Sequence, residues 1–65
     1  MFVHINGKEV KTSCSSLAQL IEENGLYSKS LIAELNFQII KQKDWPATAI
    51  KDGDRVELLR FVGGG

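Results

Sequence analysis

A chain of 65 residues is one small domain, burying only about 60% of the surface its unfolded form exposes, which leaves no room for a deep catalytic pocket. Eight basic and eight acidic residues cancel and are scattered along the chain, where nucleic-acid binding by phosphate neutralisation would need a basic stripe. One cysteine, Cys14, and one histidine, His4, exclude an internal disulfide and a four-coordinate zinc site. No apolar run approaches the roughly 20 residues of a membrane-spanning helix, and no signal-like stretch opens the chain. A lone thiol fits a reducing compartment, so the expectation is a cytoplasmic protein with no nucleic-acid or membrane partner.

Met1 to Asn6 alternates, with Val3 and Ile5 on one face, and the Asn6-Gly7 dipeptide that follows favours a tight hairpin turn because both residues tolerate positive φ. Glu9 to Thr12 reads as the return strand, with Val10 inward. A Ser-Cys-Ser-Ser loop leads to Ser16, which with Gln19 three places on has the spacing of a capping box. The helix that begins there carries Leu17, Leu20 and Ile21 as one apolar stripe and stops at Asn24-Gly25. Leu31, Ala33 and Leu35 alternate with Ile32, Glu34 and Asn36, predicting a third strand in the centre of the sheet. Asn36-Phe37-Gln38 turns the chain into a short strand at Ile39-Ile40.

Lys41 to Thr48 has no clean period and contains Pro46, so a loop or single helical turn is expected, with Trp45 over the core edge. Asp52-Gly53-Asp54 is a second tight turn; the twelve-residue calcium-loop pattern is absent, and turn chemistry is the better account of its acids. The last strand runs from Arg55 to Val62. An opening hairpin, one helix and a late strand returning to the sheet describe a small α+β roll, with a domain at 1–62 and Gly63, Gly64 and Gly65 as a flexible tail.

Candidate chemistry inside the domain is thin. His4 lies on the strand face opposite Val3 and Ile5, without a nucleophile or an orienting group in sequence reach. Cys14 has no basic sequence neighbour to depress its pKa and reads as an inert thiol. No catalytic residue and no metal ligand are expected in the chain. The glycine tail is different. In the last strand Val56 and Leu58 share one face, and Leu59 and Phe61 share the other. If the first pair enters the core, the second is an exposed apolar pair just before the tail, which could dock a partner or merely cover the edge of its own core.

Glycines lack Cβ, so such a tail can enter a narrow channel in another protein and present its carboxylate there. A carboxylate of pKa near ~3.5 is an anion at neutral pH and a poor electrophile, so activation would have to come from elsewhere, and an adenylating enzyme could supply it by forming an acyl-adenylate.

The opening hairpin with Asn6-Gly7, "AELNFQII" at 33 to 40, "KQKDW" ending at Trp45, "KDGDRVEL" at 51 to 58 and the terminal Gly-Gly together resemble the ThiS family over essentially the whole chain. These are sulfur carrier proteins of thiamine biosynthesis with the ubiquitin-like β-grasp fold, a mixed sheet of four to five strands with one main helix packed across it. The resemblance implies a carrier with no bound cofactor. Its terminal carboxylate would be adenylated by a ThiF-like adenylyltransferase using ATP, converted to a thiocarboxylate through a cysteine desulfurase relay, and used as the sulfur source by a ThiG-like thiazole synthase.

Carried onto this chain, Gly65 bears the thiocarboxylate, Gly63 and Gly64 give the reach, and Leu59, Phe61 and Val62 bind the partner. The chain has three terminal glycines where the minimal pattern has two. Three other readings stay open: the small subunit of molybdopterin synthase, a ubiquitin-like protein modifier, and, from another class, a β-grasp interaction module that binds through its sheet.

Overall fold

The computed structural model describes residues 1–60; Phe61, Val62 and the glycines at 63–65 lie outside the described residues. Five strands form one sheet: β1 (Phe2–Ile5), β2 (Lys8–Lys11), β3 (Leu31–Leu35), β4 (Gln38–Ile40) and β5 (Arg55–Arg60), in the order β2-β1-β5-β3-β4. β1 and β5 run parallel and the other neighbours antiparallel, so the sheet is mixed. The helix α1 (Leu17–Glu23) connects β2 to β3, and the 3-10 segment Gln42–Ala47 connects β4 to β5. This is the β-grasp arrangement. β3 is flanked on both sides, but the central strand is β5, not β3 as the alternation predicted. Alternation reports that one face of a strand is buried and carries no information about its place in the sheet.

Local chemistry sets the turns. Asn6 and Gly7 both adopt positive φ (50° and 80°), as a type I′ hairpin requires. The β3–β4 hairpin uses the same geometry at Asn36 (φ 50°) and Phe37 (φ 71°), which puts a bulky side chain where glycine is favoured. Ser16 caps α1, its Oγ accepting from the Gln19 N–H at 3.2 Å. The reciprocal half of the capping box is shifted by one residue, since Gln19 Oε1 accepts from the N–H and the hydroxyl of Ser15, each at 3.0 Å.

α1 is held at both ends. The Leu17 N–H donates to Thr48 O at 2.9 Å, the Ile50 N–H donates to Ser15 O at 3.2 Å, and Gly25 at φ 65° turns the chain away. Leu17, Leu20 and Ile21 bury against Val3, Ile5, Ala33, Val56 and Leu58 of the sheet. Trp45 is only 4% exposed, so it is part of this core and not merely a cover for its edge. Its indole N–H donates to Ile40 O at 2.9 Å, and its ring meets Tyr27 edge-on at 6.3 Å. These contacts satisfy the one polar atom that a buried indole brings with it.

The acids of the Asp52-Gly53-Asp54 turn serve the backbone. Asp52 Oδ1 accepts from the Phe2 N–H and Asp54 Oδ2 from the Lys51 N–H, both at 2.7 Å, while Gly53 takes φ 86°. Among the described residues no helix is long and apolar enough to cross a membrane, and no cluster of three or more metal-ligating side chains occurs.

Candidate functional site

α1 and the 3-10 segment cover one side of the sheet, and the other side is open. Its residues are the alternate positions of the strands that build the core. β5 contributes Arg55, Glu57 and Leu59, β3 contributes Ile32 and Glu34, β4 contributes Ile39, and β1 contributes Phe2 and His4. Register places Ile32 opposite Leu59, and Glu34 opposite both Glu57 and Ile39. Leu59 is 53% exposed and Ile39 68%, whereas Val56 and Leu58 are buried. The assignment of faces along β5 is therefore correct as far as Arg60. Leu59 belongs to a surface and does not cover the core edge.

Two asparagines fix where β5 ends up. Asn36 Oδ1 accepts from the Arg55 N–H at 3.0 Å, so the β3–β4 turn grips the strand where it begins. Asn6 grips it further along: its Oδ1 accepts from the Leu58 N–H at 2.7 Å and its Nδ2 donates to Leu58 O at 3.2 Å. Here a side-chain amide imitates the backbone of the next β1 residue, which the hairpin turn has carried away. Beyond Leu58 the strand keeps β3 as a neighbour, with Leu31 opposite Arg60. It has no β1 residue beside it, because β1 stops at Ile5. The strand reaches Arg60 rigidly held up to Leu58 and open on one edge after it, directly before positions 61–65. Phe61, Val62, Gly63, Gly64 and Gly65, the remaining residues singled out in the sequence, fall outside the described part.

Among the described residues the titratable groups elsewhere are not gathered into one cluster. Cys14 is buried, and its thiol donates to Glu23 Oε2 at 2.8 Å. That hydrogen bond to a carboxylate is the main reason its pKa is raised; burial and the Glu23 charge act in the same direction, and the Thr12 hydroxyl opposes them. A thiol held protonated is a poor nucleophile. His4 lies half-buried on the open face with Nε2 4.0 Å from Glu9 Oε2, and its Nδ1 has no hydrogen-bond partner. An apolar hollow of about 420 Å³ lies between α1 and the 3-10 segment, lined by Ala18, Ile21, Tyr27, Trp45 and Pro46 with Glu22 and Gln42 at its rim, and it holds no nucleophile–base pair.

Sequence reasoning placed Arg55, Glu57 and Leu59 on one face of the last strand but missed Ile32, Ile39 and Glu34 as their companions on the surface. The alternation of β3 pairs Ile32 with Glu34 on one face, which was a usable signal. Their position beside Leu59 and Glu57 depends on strand order and register, which no local pattern encodes.

Comparison with known proteins agrees with this geometry. The ThiS family profile matches residues 2–65. A sulfur carrier protein ThiS from Bacillus subtilis is 32% identical over 65 residues, covering 97% of this chain and 98% of that protein. A thiazole synthase from Paramagnetospirillum magneticum is 36% identical over 62 residues, covering 94% of this chain; the chain spans only 19% of that relative's length. The crystal structure of a thiamine biosynthesis protein (ThiS) from Geobacter metallireducens superposes with a TM-score of 0.84 at 32% identity, covering all of both chains.

Proposed function

The chain belongs to the ThiS family, the sulfur carriers of thiamine biosynthesis, and we propose that it carries sulfur as a thiocarboxylate on Gly65. The observation that carries this reading is the end-to-end match to a carrier of the same size, combined with a central β5 strand that ends at Arg60, directly before Phe61, Val62 and Gly63 to Gly65 in the sequence. On this reading the chain is a carried group and not a catalyst. The Gly65 carboxylate attacks the α-phosphate of ATP on a ThiF-like adenylyltransferase, and pyrophosphate leaves. The outer sulfur of a persulfide supplied through a cysteine desulfurase relay then displaces AMP, a thiol cleaves the resulting acyl disulfide by thiol–disulfide exchange, and the thiocarboxylate so released passes to a thiazole synthase.

The domain binds no cofactor of its own, and ATP belongs to the partner. Its contribution is mechanical. The strand presents Leu59 for docking, Phe61 and Val62 join it as docking residues on the family's pattern, and side-chain-free glycines reach a buried reactive site that bulkier residues would block. The thiazole synthase relative, which contains a segment similar to this chain, supports a synthase as the acceptor of the sulfur. The use of ATP and cysteine-derived sulfur suits the cytoplasm.

Intact-mass measurement after incubation with the adenylyltransferase, ATP and a sulfur donor tests the reading. Exchange of one terminal oxygen for sulfur, mapped to Gly65, is the expected result. An unchanged mass with an enzyme that is active on another carrier would overturn it.

A further inference from the structure

Thiocarboxylate chemistry accounts for the tail and leaves one feature of the open face without a role. Glu34 and Glu57 sit directly opposite each other on the antiparallel strands β3 and β5, with Ile39 on the far side of Glu34. Side chains so placed have Cβ atoms about 5 Å apart, and like charges there destabilise the sheet. Nothing in the domain neutralises them: among the described residues no lysine or arginine nitrogen lies within ion-pair distance of either carboxylate, and the one such contact present is His4 with Glu9. The nearest cation along the face, Arg55, is two residues from Glu57, and its guanidinium lies over the Phe37 ring at 5.9 Å. The domain tolerates a repulsive pair in the middle of a surface that is otherwise apolar at Ile32, Ile39 and Leu59.

A partner that covers those apolar side chains must also strip water from both carboxylates, and buried charge is costly unless it is paired and hydrogen-bonded. A guanidinium meets the requirement better than an ammonium does. Its planar fork of donors can serve two carboxylates at once, where lysine offers a compact point charge.

We infer that the open sheet face seats a surface of thiazole synthase on which one arginine enters between Glu34 and Glu57, ringed by apolar contacts with Ile32, Ile39 and Leu59. The inference rests on the sulfur-carrier reading. The choice of occupant rests on the relative named as a thiazole synthase, in which a segment similar to this chain and the rest of that protein share one polypeptide. A domain covalently tied to its acceptor meets it at high effective concentration, so a complementary face between the two is the economical arrangement.

The test is the Glu34→Gln/Glu57→Gln double variant, which keeps shape and removes charge, titrated calorimetrically against thiazole synthase beside the wild type. Affinity should fall at least about tenfold, the loss expected when charge-assisted hydrogen bonds are removed. The free variant should melt about 1–6 °C higher, because the cross-strand repulsion is gone. A merely structural role for the two acids would not give this opposition of weaker binding and higher stability. Glu57→Gln alone should move both readouts in the same directions by less, and it serves if the double variant does not fold.

Affinity within about twofold of wild type overturns the inference. Unchanged synthase binding with slowed thiocarboxylate formation also overturns it, since the occupant is then the adenylyltransferase. So does a wild-type dimer that the double variant abolishes, since the occupant is then a second copy. If the wild type binds the synthase through these acids yet never accepts sulfur, the carrier reading fails and the interface stands.

Discussion

The two faces of the sheet are built from the same strands by alternate residues, and they do different work. On the covered face Val3, Ala33, Val56 and Leu58 meet Leu17, Leu20 and Ile21 from α1, and Trp45 closes the layer. On the open face the intervening residues leave Leu59 and Ile39 exposed around a pair of carboxylates. Period-two geometry lets a chain this short assign stability to one set of positions and recognition to the other without adding a residue. The cost is that an error in register would exchange the two sets at every strand, so the turns have to be specified tightly. Asn6 and Asn36 meet that need, each in the left-handed region and each holding the backbone of β5 by its side-chain amide.

If this division is real, damage to the covered face should unfold the protein while damage to the open face should spare the fold. Trp45→Ala should be the most severe change, because it opens a cavity and deletes the hydrogen bond to Ile40; a loss of about 3–5 kcal/mol is expected in urea unfolding, a large share of what so small a domain possesses. Leu59→Asp, next in the chain to the core residue Leu58, should do the opposite. It should stay within about 0.5 kcal/mol of wild-type stability, as exposed substitutions do, while weakening docking to the thiazole synthase at least about tenfold. Collapse of the fold in Leu59→Asp would show that the faces are not independent.

Asn6→Ala sharpens the comparison at the boundary between the faces. It removes both side-chain bonds to Leu58 and should cost about 1–2 kcal/mol, with the Leu58 amide exchanging its hydrogen faster than its neighbours in native-state exchange. The smallest effect concerns Cys14. Its raised pKa means that the folded state holds the thiol proton more tightly than the unfolded chain does. The associated stability is complete below the unfolded thiol's pKa and is lost as pH rises from there through the higher folded value. Replacement by serine, which does not titrate in this window, should flatten that alkaline decline in a comparison of melting points. In native protein the thiol should also react slowly with iodoacetamide.

Much of this was legible in the sequence because it is encoded locally. Positive φ at Asn6-Gly7, the cap at Ser16, the α1 stripe, the stop at Gly25 and the acid-glycine-acid turn each follow from the chemistry of a few adjacent residues. So does the alternation that separates Leu58 from Leu59. Other features were not legible, since they join residues far apart in the chain. The central place of β5, the grip of Asn6 on Leu58 across 52 positions and the meeting of Glu34 with Glu57 exist only once β5 has paired in parallel with β1 and antiparallel with β3.

The sequence by itself determined the elements, their buried faces and the family to which the chain belongs, since each rests on residue types at short spacings. Only the tertiary structure decided which exposed side chains lie beside one another. That depends on strand order and register, which are settled by the packing of the whole sheet against α1 and Trp45 and by no single segment.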